Sequence, residues 1–275
     1  MSVVKHKLYV LTAAVLWSTI GVVSVYSTDA SLAALVRAWG SGLVSLVLFR
    51  SRSFPSILSG IFLGALFILF SLSAVSAGVG VAAFLLYTAP LWSTLGALVY
   101  GEKPGRLDAF SLVLLIVALS MIGFETCREL QGLTGFAAGL ASGVTYGLYI
   151  SIARNYSRRD EALNVSLGAM PYAALITTLL ILLVPGFHVK TLANYTAIAS
   201  GIYLAVFCTI LPYLLLSKGL EKVKASTASL IGVLEPVLAA VWGILFLGQI
   251  PSPTLALAYA MITLSSLTQV FFKEH

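Results

Sequence analysis

Apolar stretches about as long as a bilayer is thick follow one another along this chain, each closed by a short polar gap. A hydrocarbon core about 30 Å thick takes roughly 20 residues of helix. Ten such stretches can be drawn, at 8–26, 31–49, 57–77, 81–100, 109–124, 133–153, 164–184, 195–217, 226–247 and 254–272. The pattern predicts an all-α membrane protein of ten transmembrane helices. The polar runs between them, chiefly Glu102 to Asp108 and Arg154 to Glu161, are too short for a soluble domain.

Charge gives the stretches an orientation. When the gaps are numbered from the N-terminus, thirteen of the sixteen Lys and Arg residues fall on one side, Arg128 and Lys190 fall on the other, and Arg37 lies inside the second stretch. The positive-inside rule then predicts both termini in the cytoplasm, and the expected location is the plasma membrane. A hydrophobic share of 59% against 9% charged residues points the same way. The net charge of +6 is therefore read as contact with anionic membrane lipid at helix ends, with no nucleic acid as partner. Lys5, His6 and Lys7 before the run from Leu8 have the outline of a signal peptide, but the run is long and no small-x-small site follows, so a retained first helix is expected. Cys127 and Cys208 lack metal-ligand spacing, and no metal or cofactor is expected.

The chain repeats itself. Ala-Pro-Leu-Trp at 89–92, leading to Gly-Glu-Lys-Pro at 101–104, is similar to Glu-Pro-Val-Leu at 235–238, leading to Gly-Gln-Ile-Pro at 248–251. Leu-Trp-Ser at 16–18 has a weaker echo in Thr-Tyr-Gly at 145–147. Five helices in each half, 1–126 and 127–275, force the second half to enter the membrane upside down. Such inverted five-helix repeats mark secondary transporters. On this orientation Pro90 and Pro236 each lie about ten residues into their helices, roughly 15 Å along the axis and near the midplane.

These residues resemble the drug/metabolite transporter superfamily, of the ten-helix EamA-like type. The likeness covers essentially the whole chain and rests on Pro90 with Gly101-Glu102, Leu234-Glu235-Pro236-Val237 with Gly248, Trp17 and Arg37. Gln249 departs from it, because an acidic residue is usual there, and Glu102 is left without its counterpart. The resemblance implies a small-molecule substrate, amino acid-like or drug-like, and a path between the halves lined by the third, fourth, eighth and ninth helices with help from the first and sixth. The fifth and tenth would be scaffold.

Candidate site residues follow from cost. Glu235 is the acidic residue read as lying well inside the membrane, where a carboxylate must be paired, hydrated or protonated. Proton coupling, a substrate-amine contact, and a structural bond to backbone freed by Pro236 all fit it. Arg37 is read as snorkelling to headgroups, as fixed by a structural hydrogen bond, as a charge partner of Glu235, or as a contact for a substrate carboxylate. Pro90, Pro212 and Pro236 interrupt helices expected to line the path. Trp17, Tyr87, Trp92, Tyr146, Tyr149 and Tyr213 suit an amphipathic cargo better than a polyanion, while Gly78, Gly80, Gly139, Gly143 and Gly232 suit close helix contacts.

Two other classes fit less well. An intramembrane enzyme would need a histidine or acid pair at depth, and His6, His188 and His275 are read as lying in tails or a loop. A channel would need a filter of carbonyls or charged rings. No enzymatic activity is expected. Homodimerisation through a peripheral helix is left open.

Overall fold

The computed structural model describes residues 3–49, 53–77, 79–126, 133–183, 193–248 and 250–271. Regular structure among these residues is helical throughout. The first stretch is α1 (Val3–Trp17) followed by α2 (Ile20–Tyr26), and the next two are α3 (Ala30–Leu48) and α4 (Phe54–Ala77). The fourth is split into α5 (Val79–Leu86) and α6 (Ala89–Val99), after which α7 (Arg106–Thr126) and α8 (Leu133–Ser157) are unbroken. A short α9 (Ala162–Val165) precedes α10 (Met170–Leu183), and α11 (Tyr195–Ala205) runs through a π-helical turn, Val206–Ile210, into α12 (Leu211–Leu220). The ninth stretch is again split, into α13 (Ala225–Gly232) and α14 (Leu234–Leu247), and α15 (Pro253–Phe271) is the last described helix.

Seven helical segments among the described residues are long and apolar enough to cross a membrane, and Leu32–Leu48 and Phe54–Phe70 are shorter apolar segments. The chain is an integral membrane protein. Large apolar residues such as Phe110 and Val113 of α7 and Leu257 and Leu264 of α15 point outward, as hydrocarbon-facing positions do.

Caps fix several ends. The Asp29 side chain accepts from the Leu32 amide at 3.0 Å and that of Asn194 from the Ala197 amide at 3.1 Å, satisfying first-turn donors of α3 and α11. At the opposite kind of end, Gly101 (φ 76°) and Gly248 (φ 66°) are left-handed residues just past α6 and α14, where a side chain would be strained.

The main core gathers Val10 and Trp17, Leu63, Tyr149 and Ile150, Met170, Tyr213, Leu216 and Leu220. A second cluster joins Leu115 and Leu119 of α7, Leu230 of α13 and Ile262 of α15. α7 and α15 are also stitched together at Ser111, which accepts from the Gln269 side chain at 2.8 Å. They contribute nothing to the cavity described below.

Two expectations are corrected. His6 is not in a tail: it lies in α1, buried, edge-on to Tyr9 and 4.0 Å from Glu221. Gly232 is not a close helix contact, since a Cβ there would meet no atom within 4 Å. Gly139 and Gly143 do pack tightly, against Leu85 and the residues after it. Gly78, Cys127, Arg128, His188, Lys190, Gln249 and His275 lie outside the described residues.

Candidate functional site

Two of the split helices set up the site. Proline has no amide hydrogen and is at home only in the first turn of a helix. Pro90 is the second residue of α6 and Pro236 the third of α14, so each half-helix has its proline in the first turn. At the first break the Thr88 hydroxyl donates to the Leu85 carbonyl at 2.7 Å and receives the Trp92 indole N–H at 3.1 Å. Ser93 of α6 and Ser229 of α13 share a hydrogen bond of 2.6 Å, tying the two broken helices to each other.

A cavity lies where the breaks meet. Its walls include Leu86, Tyr87, Ala89 and Pro90 from the first break and Gly232, Val233 and Glu235 from the second. Val10 and Trp17 of α1, Tyr146 and Ile150 of α8, Leu216 of α12 and Ala228 and Ser229 of α13 complete it. It is narrow, with room for about one water molecule, so cargo of any size needs the helices to part. Glu235 is partly accessible on this cavity, and the Tyr87 hydroxyl lies within hydrogen-bonding reach of its carboxyl group. A carboxyl group, a phenol and aromatic walls around an apolar space suit an amphipathic molecule.

Pro212 shapes the wall behind. A proline at 212 leaves the Cys208 carbonyl, four residues earlier, without its helical donor. That carbonyl accepts instead from the Trp17 indole at 3.1 Å and from the Arg37 guanidinium at 3.1 Å. Arg37 also donates from Nε to the Thr209 hydroxyl at 2.7 Å and lies 4.6 Å above the Phe67 ring. The Thr209 hydroxyl in turn donates to the Leu204 carbonyl, five residues back, in step with the π-helical turn. The guanidinium is thus turned to backbone and hydroxyl oxygens, and its hydrogen bonds among the described residues include no carboxylate.

This arrangement gives a first expected result. Arg37→Met keeps much of the side-chain bulk but removes two partly buried charge-assisted donors, and should lower stability in detergent by about 1.5–3 kcal/mol. Arg37→Lys should recover less than half of that, because one ammonium cannot reproduce the planar fork. Thermal unfolding followed with a thiol-reactive dye checks both; full recovery by lysine would show that charge alone matters.

The aromatic candidates form one connected group. Trp17 meets Tyr146 and Tyr213 edge to face, at 6.1 and 5.2 Å between ring centroids. Tyr149 stacks on Tyr146 at 6.4 Å and meets Tyr213 at 5.6 Å. Phe67 of α4 joins at Tyr213, 6.5 Å away. Trp17 and Tyr146 face the cavity, whereas Tyr149 and Tyr213 stand behind them, and the Tyr149 hydroxyl donates to the Val165 carbonyl at 3.3 Å.

Of the residues singled out from the sequence, Trp17, Tyr87, Pro90, Tyr146 and Glu235 line the cavity. Tyr149, Tyr213 and Arg37 form its backing, Trp92 braces a break, and Pro236 lies in the first turn of α14 beside Glu235. Sequence reasoning missed Phe67, and it placed Ser93, Ser229 and the Cys208 carbonyl in no role. Pro212 carried a readable signal for the carbonyl, because a proline within an apolar helix always orphans the residue four before it.

Apolar spanning helices that break in pairs around a carboxyl-bearing cavity fit a membrane transporter of small metabolites, the class to which family and relatives assign the chain. The chain belongs to the EamA-like transporter family, whose profile matches residues 133–270, and through it to the drug/metabolite transporter superfamily. The threonine/homoserine exporter RhtA of Escherichia coli (strain K12) is 29% identical over 221 residues, covering 79% of this chain and 71% of RhtA. The uncharacterized transporter YwfM of Bacillus subtilis (strain 168) is 22% identical over 276 residues, covering 95% and 92% of the two chains. A crystal structure aligns with 97% of this chain and 96% of its own at a TM-score of 0.79 and 19% identity, a likeness of fold. Family and relatives are transporters by name and not enzymes.

Proposed function

We propose that this chain is a secondary transporter that exports a small amphipathic metabolite by alternating access. Its two halves, 1–126 and 127–275, would act as inverted five-helix repeats that rock about the cavity and expose it to one side at a time. The observation that carries the reading is the meeting of two proline-led half-helices, one from each half, at a single cavity with Glu235.

Further features support the repeat. Gly101 and Gly248 share a left-handed cap at corresponding places. Trp17 and Tyr146, the residues of the weaker sequence echo, touch across the cavity wall, as symmetry mates near a pseudo-twofold axis would. Ten crossings follow if α1 with α2, α3 and α4 span alongside the seven longer segments. The Lys and Arg distribution supports both termini facing the cytoplasm, and the proposed export places the chain's work at the plasma membrane.

The cargo is taken to be amino acid-like, because RhtA is named for threonine and homoserine and the cavity pairs a carboxyl group with aromatic walls. Counterflow in proteoliposomes tests this, with labelled threonine, homoserine, nucleobases and aromatic amines offered in turn. Accumulation of an amine-bearing cargo against its unlabelled self is expected. Absence of exchange for every compound, with folded protein in the vesicles, would overturn the reading.

A further inference from the structure

At one end of the molecule two carboxylates and one guanidinium converge on the first turn of α13. Glu102, in the turn after α6, receives Arg154 of α8 at 3.0 Å (Nε) and 2.9 Å (Nη2) on one oxygen. Its other oxygen accepts the Ala225 backbone N–H at 3.0 Å. Arg154 also donates to the Leu220 carbonyl at the end of α12, at 2.6 Å. Beside this, Asp108 of α7 accepts from the hydroxyls of Ser226 at 2.6 Å and Thr227 at 2.9 Å, and from the Gly105 amide at 3.0 Å.

Exposed ion pairs contribute little, but this group is buried: Asp108 is fully covered and the Glu102 and Arg154 side chains are only 10% and 11% exposed. Hydrogen bonds to charged groups in such places are among the stronger ones. The contacts also have a direction. Glu102 and Asp108 belong to the first half of the chain, and every partner in α12 and α13 belongs to the second.

α13 links this cluster to the cavity. It is eight residues long, about 12 Å, and its far end is Gly232, which lines the cavity one turn from Glu235. α6 and α8 meet α12 and α13 between the cavity and this end of the molecule, so a route that parts them would have to break the cluster. We propose that Glu102, Asp108 and Arg154 form a gate clasp, which closes the cavity at the end bearing Glu102 and must release α13 for that end to open. The proposal rests on the transporter reading for its purpose, but not for its test.

Side-specific labelling measures the gate. Gly232→Cys, in a chain with Cys127→Ser and Cys208→Ser, puts a thiol into open space on the cavity. In sealed vesicles of known orientation, a membrane-impermeant maleimide applied from the Glu102 face should react slowly with this parent. Adding Glu102→Gln should raise that rate about tenfold, as should the uncharged pair Ser226→Ala with Thr227→Val, without raising labelling from the opposite face. Unchanged rates from both faces in both variants, each shown folded by size-exclusion chromatography, would overturn the clasp. Counterflow on the same vesicles keeps the two readings apart: a changed labelling side with no exchange of any cargo supports the gate and removes the transporter reading, whereas exchange with unchanged labelling removes the gate alone.

Discussion

Gly147→Ala is expected to destabilise the protein by about 1–3 kcal/mol, and Gly147→Val to prevent recovery of folded material. A Cβ at Gly147 would meet the Ala89 carbonyl oxygen at 2.5 Å, the Trp92 Cβ at 2.6 Å and the Ser93 nitrogen at 2.7 Å. These atoms belong to the first five residues of α6, the half-helix with Pro90 in its first turn, and two of them are backbone. None can swing aside, so α8 and α6 must separate. The damage would reach the cavity, because Ala89 and Pro90 are part of its wall and Ser93 holds Ser229. Gly232→Ala is the internal comparison: its added methyl meets nothing, and a helical alanine is favoured over glycine by up to about 1 kcal/mol. Unfolding midpoints in one detergent, measured for both alanine variants, check the contrast. Equal midpoints would mean that the close approach of α8 to α6 contributes nothing to stability.

How far the sequence could be read follows from which interactions are local. Apolar length is a local property, and the helices fall where the stretches were drawn, with Leu133–Ser157 and Pro253–Phe271 among the clearest. The prolines marked the breaks at 90 and 236 and the π-helical turn before 212, because the missing amide hydrogen is a property of one residue. Glycine is different: Gly147 and Gly232 look alike in sequence, yet one touches a neighbouring backbone and the other faces open space. Arg37 shows the same limit. Its depth was legible, but its partners are 171 and 172 residues away and depend on how α3 packs on the turn at 206–210. Glu102 was noticed only as half of an unmatched pair, and nothing local announces that it reaches Ala225, 123 residues on.

If Glu235 couples transport to protons, Glu235→Gln is expected to leave the fold intact and to abolish the response of transport to a pH gradient. A carboxylate at membrane depth is expensive when charged, so its proton occupancy is bound to whatever shares the cavity with it. Glu235 has the Tyr87 hydroxyl within reach and Ser229 with apolar and aromatic residues on the cavity wall, while the Arg37 guanidinium, near enough to act on it through space, gives its hydrogen bonds to Cys208 and Thr209. No cation among the described residues hydrogen-bonds to it, so a proton or a cargo ammonium can still share the carboxyl group. If the two compete for the carboxyl group as the cavity is exposed to each side in turn, proton entry drives cargo exit. On the proposed export reading, an acidic outer compartment should therefore accelerate export by the parent chain. Glutamine keeps the shape and can still accept from Tyr87, but it neither binds a proton nor balances an ammonium. Counterflow at equal pH should fall at least tenfold if the carboxyl group holds the cargo amine, a loss of about 1.4 kcal/mol of binding or more. It should persist, without gradient dependence, if the group serves the proton alone. A gradient response of unchanged size in Glu235→Gln would remove this carboxyl group from coupling altogether.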